Sequence, residues 1–572
     1  MPTVGSTRRS FVIGVAGAAA AAGFPLCRGA SAAGAALIEA DAQLRALIDR
    51  ERTNILATME KENIPGAAVC LVCDGKPVWI EGFGVTDRKS ERRVGMDTIF
   101  SIQSTSKNLA TTAIMLAVQR GLLDLDKPIT TWLPGFTVNS RFQSRPQDKM
   151  TLRHLVSNRA GFTHEAPIGN NYDPSFTNFE SHIDSISQTW LRFPVGERFR
   201  YSNLGFDLAG YILQSVSRKP FAECLKTMLL DPLGMSDTTA DTDDYAQRAN
   251  RALGHQTGYD AVPLRIPLIP SGGVYASARD LASYLVFHLN KGRIAQRPLL
   301  DETLWNEMHS FSLPGAYSLG IAGGKLRFGD SDIRMLTHNG GGFGFGCVLR
   351  FYPQAELGLA VVFNRPIGAA YQFGAVLTDE ILNRRYGKQR PRTRIDDFTA
   401  ANVPQDELQK FCGNWLAREF TCDFKLKGGV LLLQRGEKEV PVRITSPVDI
   451  ALPGEGPMGD AIAMRYFPAP AGATAHMESV LGDGNLDYND GPNDMPGPDK
   501  KEWDKYVGEY SIHYWGKPRD RVNVNRKNGY LYLNAIRLVE ELKPGLFFTS
   551  DGEVVDFSQD PATWRNIPLR RA

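Results

Sequence analysis

The sequence has almost no excess of charge. Its 65 basic and 63 acidic residues over 572 positions leave a formal net charge of +2. That balance removes the electrostatic ground for nucleic acid or an anionic membrane as a partner. The nine histidines are scattered and form no His-Glu-x-x-His, and the seven cysteines show no zinc-ligand spacing. No dinucleotide fingerprint occurs, and the Gly-rich stretch at 340–344 lacks the Gly-Lys-Ser/Thr of a phosphate loop. No cofactor and no metal are therefore expected. Cys70 and Cys73 match a redox pair in spacing only. Three apart on an apolar strand, they point to opposite faces, as buried small hydrophobes would. A bridge between Cys412 and Cys422 is left open by the sequence.

Past the first 35 residues no segment resembles a transmembrane helix. The first 32 residues have another character. Thr7-Arg8-Arg9-Ser10-Phe11 opens a short apolar run over 11–26, and Ala30-Ser31-Ala32 supplies small residues for cleavage. Basic, apolar and small regions in that order predict a twin-arginine export signal over 1–32, and hence a periplasmic or secreted protein.

What remains is ordinary globular chain, 42% apolar and 22% charged. At about 150 residues per domain its length allows two to four domains. Residues 38–62 carry Leu44, Ile48, Ile55 and Met59 at helical spacing, closed by Pro65-Gly66. Apolar strands at 67–73 and 77–83 flank Asp74-Gly75, a tight-hairpin signal. A second hairpin pattern, 346–352 and 358–364, surrounds Pro353-Gln354-Ala355-Glu356, and a helix-like stretch follows at 369–383. Between the hairpins lie helical patterns and loops. The predicted class is α+β, with an antiparallel sheet built from both ends of a 38–390 domain and flanked by helices.

Beyond residue 395 charged, Gly-rich β patterns take over. Residues 408–415 (LQKFCGNW) echo 503–510 (WDKYVGEY), and 427–433 echo 527–533. This spacing predicts two tandem β-barrel-like domains, at 400–490 and 500–572. The Gly-, Pro-, Asn- and Asp-rich stretch 485–499 reads as their linker.

Ser104-Thr105-Ser106-Lys107 precedes a run of Ala, Ile, Met, Leu and Val that ends at Gly121. Ser104 is expected to open a buried helix, with Lys107 one turn on along the same face. A serine hydroxyl needs a neighbour to take its proton, and a lysine held in a dry site can serve. The backbone N–H at a helix start favours developing negative charge. Tyr201-Ser202-Asn203 places a phenol and an amide two residues apart, so both can face one pocket. Tyr201 could pass a proton, and Asn203 could hold a substrate carbonyl. In His338-Asn339-Gly340-Gly341-Gly342 the glycines allow close approach of a substrate backbone and offer N–H groups for an oxyanion. His154 and His164 read as loop or core histidines.

In this order, Ser-x-x-Lys, Tyr-x-Asn and His-x-Gly resemble the class C β-lactamase and D-alanyl-D-alanine carboxypeptidase family, which also holds D-aminopeptidases and carboxylesterases. Gly121-Leu122-Leu123-Asp124, Asp231-Pro232-Leu233-Gly234 and Ser271-Gly272-Gly273 fit the same pattern. The resemblance covers residues 38–390 and implies a β-lactamase/transpeptidase-like fold. It implies a covalent acyl-enzyme on Ser104, with Lys107 and Tyr201 handling protons. Asn203 would orient the scissile amide, and the His338 to Gly341 strand would bind substrate, Gly341 giving the second oxyanion N–H.

Two positions depart from the pattern. His338 stands where β-lactamases carry lysine, which points to peptidases and esterases of the family. Asn158 replaces a usual histidine. The layout, with two β domains in the tail, is similar to that of D-aminopeptidases, in which a barrel loop narrows the cleft. The expected substrates are short peptides or amides containing D-residues. A carboxylesterase using Ser104 and a penicillin-binding sensor that acylates without turnover are the alternatives. Homo-oligomerisation is left open.

Overall fold

The computed structural model describes residues 37–572 apart from 39, 91, 173–177, 260–261, 266–267, 312–316, 418–420, 455–458, 470–473, 480–484 and 492–493. The expected export signal, 1–32, lies outside the described residues. Among the described residues no helix is long and apolar enough to cross a membrane.

Helix α1 (Ala42–Lys61) starts where the Asp41 carboxylate accepts the Leu44 N–H at 2.7 Å. Such a cap satisfies one of the donors that a helix start leaves unpaired. Strands β1 (Gly66–Cys73) and β2 (Lys76–Gly84) follow. Asp74 and Gly75 join them with φ of 52° and 72°, the left-handed pair that suits a twisted hairpin. Helices α2 (Ser106–Gln119), α3 (Leu204–Ser217) and α4 (Ala278–Leu289) belong to the inserted helical region. Strands β3 (Ala322–Phe328), β4 (Ser331–Gly342), β5 (Phe345–Tyr352) and β6 (Leu357–Phe363) then lead to helix α5 (Ala375–Tyr386).

The sheet has eight antiparallel strands in the order Leu37–Ile38, β2, β1, β6, β5, β4, β3, Gln389–Arg390. β1 pairs with β6, Val69 opposite Val361, so the two ends of the domain meet at its centre. Both faces are covered. Ala68, Cys70 and Val72 pack with α2, α3 and α4, whereas Ala67, Val69, Leu71 and Cys73 pack with α1 and α5. Cys70 and Cys73 thus lie on opposite faces. All six described cysteines are free, Cys412 and Cys422 included.

The tail forms two β units. Strands from Gly413 to Asp490 make a nine-stranded antiparallel sheet, and strands from Gly508 to Arg571 close an eight-stranded barrel. The internal repeat is structural. Trp415 Nε1 donates to the Phe411 carbonyl at 2.9 Å, and at the matching positions the Tyr510 hydroxyl donates to the Tyr506 carbonyl, also at 2.9 Å. Gly428-Gly429 and Asn528-Gly529 form matching left-handed turns.

The expected linker is shorter than its composition suggests. Asn485–Asp490 is a strand, paired with Gly413–Leu416 on one side and His476–Ser479 on the other. Leu486 and Tyr488 alternate into the core of the nine-stranded sheet. Its polar positions have partners of their own. Asp487 accepts from Arg198 Nη1 at 3.0 Å and pairs with Arg200, both on the first domain. Asn489 Nδ2 donates to the Ala535 carbonyl of the closed barrel at 2.7 Å. The barrel is anchored in turn by buried Arg192, which pairs with Asp551 at 3.0 Å and Glu553 at 3.1 Å.

Candidate active site

The short strand Ile99–Ser101 pairs with Tyr275–Ser277 and delivers the chain to Ser104. Ser104 lies in a single 3-10 turn, Gln103–Thr105, and α2 begins two residues later than expected. The turn is pinned on two sides. Thr105 Oγ1 donates to the His338 carbonyl at 3.1 Å, and Ser106 Oγ accepts the Val274 N–H at 3.0 Å. Gln103 enters the turn at φ 49°, a left-handed conformation costly for a non-glycine residue. Its amide donates to Ser101 Oγ at 2.7 Å.

The tighter turn keeps the one-turn relation between hydroxyl and amine. Lys107 is fully buried, and its Nζ donates to Ser104 Oγ at 3.2 Å, Asn203 Oδ1 at 2.8 Å and the Ser271 carbonyl at 2.9 Å. An ammonium has three hydrogens, and here each has an acceptor. Nζ also lies 4.8 Å from the centre of the Tyr201 ring. Asn203 precedes α3, so the helix start fixes the amide that faces Lys107.

Tyr201 is ringed by aromatic groups. His164 stacks on it at 5.8 Å between centres, Tyr317 meets it edge-on at 6.3 Å, and His338 lies at 6.3 Å. His338 is neutral: burial, with the Lys107 cation nearby, pushes its pKa down to about 3. Its Nδ1 faces the Asn339 carbonyl at 2.9 Å, and a carbonyl only accepts, so Nδ1 carries the hydrogen. Nε2 is then the acceptor for the Tyr317 hydroxyl at 2.9 Å.

β4 outruns its neighbour. Ala322 of β3 faces Thr337, so residues 338–342 extend past β3 along the Ser104 turn. A Cβ on Gly340 would stand 2.0 Å from the Ile102 carbonyl oxygen, and one on Gly341 would stand 2.3 Å from the Tyr371 hydroxyl. That hydroxyl donates to the Gly340 carbonyl at 2.9 Å. Only glycine lets the strand lie this close to the turn. Ser104, Lys107, Tyr201, Asn203, His338, Gly340 and Gly341 therefore gather in one place.

Several site residues escape a sequence reading. His164, a loop histidine, has its ring against the site. Its Nδ1 pairs with Glu165 at 2.7 Å while its ring lies on Tyr201. Burial works to raise the Glu165 pKa, but His164 and Asn171 hold it below the ordinary carboxyl value. His154, by contrast, caps the helix Leu152–Val156 together with Thr151. Asn158 Oδ1 accepts the Ser202 N–H at 2.9 Å and so braces the Tyr201-Ser202-Asn203 segment. Behind Lys107, Asp207 and His182 are fully buried. Their only sequence signal is an acid set in the apolar run of α3.

The closed barrel also reaches this region. The Trp515 backbone N–H donates to the Tyr172 carbonyl at 3.0 Å, and its Nε1 to the Asn171 carbonyl at 3.2 Å. Its ring packs 5.3 Å from Phe343, directly after the glycines of β4, and 5.1 Å from Tyr259. From the barrel, Glu553 accepts from Thr163 Oγ1 at 2.6 Å and Asn566 donates to the Glu165 carbonyl at 2.7 Å. The loop carrying His164 is therefore tied down from the tail.

A buried serine–lysine pair beside a phenol, on an antiparallel sheet flanked by helices, defines the class of this site. A model of the Beta-lactamase family matches residues 52–381, more than half of the chain, and the protein belongs to that family, whose members are serine hydrolases. Protein flp of Staphylococcus aureus (strain MW2) is 24% identical over 317 residues, covering 54% of this chain and 61% of that protein. The chain thus spans about three fifths of that relative's length. The D-alanyl-D-alanine-carboxypeptidase/endopeptidase AmpH of Escherichia coli (strain K12) is 24% identical over 306 residues, covering 52% of this chain and 78% of AmpH. Among solved structures, SurE has a TM-score of 0.53 at 21% identity, covering 76% of this chain and 99% of its own. These comparisons agree with the expected β-lactamase/transpeptidase-like fold.

Proposed function

We propose that this protein is an exported serine hydrolase that cleaves amide bonds of short peptides, D-residue-containing ones in particular, through an acyl-enzyme on Ser104. The observation that carries the reading is the buried Lys107 Nζ within hydrogen-bond reach of Ser104 Oγ, at 3.2 Å. In this mechanism the Lys107–Tyr201 pair first gives up one proton to water; Ser104 Oγ then attacks the carbonyl carbon while its own proton passes to the pair. The resulting oxyanion is held by the backbone N–H groups of Ser104 and Gly341. The tetrahedral intermediate collapses as the pair protonates the leaving amine. Water, activated by the same pair, then frees the acid. Asn203 orients the substrate amide, and the 338–341 strand binds its backbone.

The names of the relatives support a peptidase reading, as AmpH is a carboxypeptidase/endopeptidase. Trp515 packs on Phe343 beside the glycines of β4, and His164 stacks on Tyr201; a site confined by these two would favour small substrates. Export rests on the twin-arginine pattern at Arg8-Arg9. A carboxylesterase is the second reading, favoured by the neutral His338 and the rings of Phe199, Tyr201 and Tyr317, which suit uncharged acyl groups.

The test is a panel of D-alanyl amides, short acyl esters and nitrocefin against the mature protein, with Ser104→Ala as control. Turnover of the D-alanyl amides, lost in Ser104→Ala, is the expected result. Ester turnover alone would establish the second reading, and a stable penicillin adduct without turnover would establish a sensor. Full activity in Ser104→Ala would overturn the mechanism.

A further inference from the structure

Lys107 donates one of its three hydrogen bonds to a backbone carbonyl, that of Ser271. A backbone carbonyl is a good acceptor only if its peptide is held still, and Ser271 sits in a single short helical turn, Ile269–Gly272. What holds that peptide is Asp207. Its Oδ1 accepts the Ser271 N–H at 3.0 Å, and its Oδ2 accepts from Ser271 Oγ at 3.0 Å. Asp207 is fully buried on α3, a helix otherwise apolar around it. Such a carboxylate needs a counter-charge, and His182 supplies it, with Nε2 3.2 Å from Oδ2. His182 Nδ1 in turn donates to the Ile168 carbonyl at 2.7 Å, so both ring nitrogens carry hydrogen and the ring is an imidazolium. Burial disfavours that charge most, but the bond to Asp207, its negative charge and the Ile168 carbonyl together outweigh burial and raise the His182 pKa.

We propose that Asp207 is a positioning residue for the acylation chemistry, oriented by His182 and acting on Lys107 through the Ser271 peptide. The ion pair fixes Asp207, Asp207 fixes the Ser271 carbonyl, and that carbonyl sets where the Lys107 ammonium stands relative to Ser104 Oγ. The chain starts at Ile168, on the same loop as His164. Neither Asp207 nor His182 touches Ser104. A shift of about 1 Å in a reacting group can cost about 100-fold in rate, so loss of this support is felt in the chemical step. The inference rests on the reading of Ser104 as nucleophile and Lys107 as its proton partner.

The experiment is single-turnover acylation by p-nitrophenyl acetate, followed by nitrophenolate release, for wild type, Asp207→Asn, Asp207→Leu and Ser271→Ala. The burst amplitude counts folded sites. The concentration dependence of the burst separates the acylation rate constant from the binding constant. Asparagine keeps an oxygen for the Ser271 N–H, whereas leucine keeps none. The expected order is therefore a loss of about 100-fold in the acylation rate constant for Asp207→Leu, with part of it recovered in Asp207→Asn and a loss of only a few-fold in Ser271→Ala. The binding constant stays at its wild-type value. A reduced amplitude with an unchanged rate constant would show a purely structural role and overturn the proposal. So would a rate constant of wild-type size in Asp207→Asn and Ser271→Ala. Rapid release by Ser104→Ala would instead remove the nucleophile reading. An inert Ser104→Ala beside an unimpaired Asp207→Asn removes this inference alone.

Discussion

At the scale of single residues, the site is organised around one buried cation. Lys107 reaches a hydroxyl, an amide oxygen and a peptide oxygen at 2.8 to 3.2 Å. Replacing it with alanine removes the group that receives the Ser104 proton and leaves the Asn203 amide and the Ser271 carbonyl facing a void. Lys107→Ala is expected to slow acylation by about 100- to 10,000-fold, the range of a lost general base. A rapid-mix burst measurement checks it, and a near-normal rate would reduce Lys107 to a structural cation. His338 has a different task. Its hydrogen stays on Nδ1 and its Nε2 accepts from Tyr317, so it presents no positive charge to a substrate carboxylate. At the position where β-lactamases of the family use lysine, this strand carries a neutral ring.

At the scale of elements, the decisive contact is between the Ser104 turn and β4. Gly340→Ala would drive a Cβ to 2.0 Å from the Ile102 carbonyl oxygen, and backbone cannot give way as a flexible side chain can. The expected result is loss of acylation, with the β units of the tail melting as in wild type. Activity assays with scanning calorimetry would read both, and an active Gly340→Ala would refute the packing argument. Elements with a local rule were legible in the sequence. The Asp74-Gly75 turn, the alternation around Cys70 and Cys73 and the Ser-x-x-Lys spacing each depend on neighbours in the chain, and the fold keeps all of them. The strand Asn485–Asp490 was not legible. Its Asn and Asp residues resemble a linker until Arg198, Arg200 and Ala535, distant in sequence, provide their partners. Ser104 sits in a 3-10 turn for a similar reason, since Thr105 and Ser106 are pinned by His338 and Val274.

At the scale of the whole molecule, four arginines of the first domain, Arg141, Arg192, Arg198 and Arg200, pair with carboxylates of the tail. Arg192 is buried between two carboxylates, Asp551 and Glu553. Removing one partner of a buried pair leaves uncompensated charge, so Arg192→Ala is expected to cost about 3 kcal/mol. It should also weaken the hold on the 163–172 loop. Denaturant titration monitored by Trp fluorescence checks the first expectation, and proteolytic release of the 500–572 barrel the second. This docking was invisible to a reading of local patterns, because each pair joins residues hundreds of positions apart.

The same distributed burial sets the response of the whole chain to acid. His309, His338 and His476 are held near pH 3 by burial, against an ordinary value of 6.5. As the pH falls below about 6.5 the unfolded chain takes up these protons and the folded chain does not. Each such group therefore removes about 1.4 kcal/mol of stability per pH unit until its folded value near 3 is reached. Asp551 acts in the same direction at lower pH. Burial opposes its charge, but Arg192 and Arg565 hold its pKa at about 2 against an ordinary 3.8. Its contribution is complete above 3.8 and is lost as the pH falls toward 2. His338 lies in the site, His309 against Phe351 of the sheet and His476 in the nine-stranded tail sheet, so the first domain and the tail both weaken over one range. Melting temperature is expected to drop steadily from pH 6.5 to pH 4, with the barrel contacts of Asp551 failing last. A melting temperature that stays flat between pH 7 and pH 4.5 would mean that these rings are protonated in the folded chain. The assignment of His338 as a neutral acceptor for Tyr317 would then fall with it.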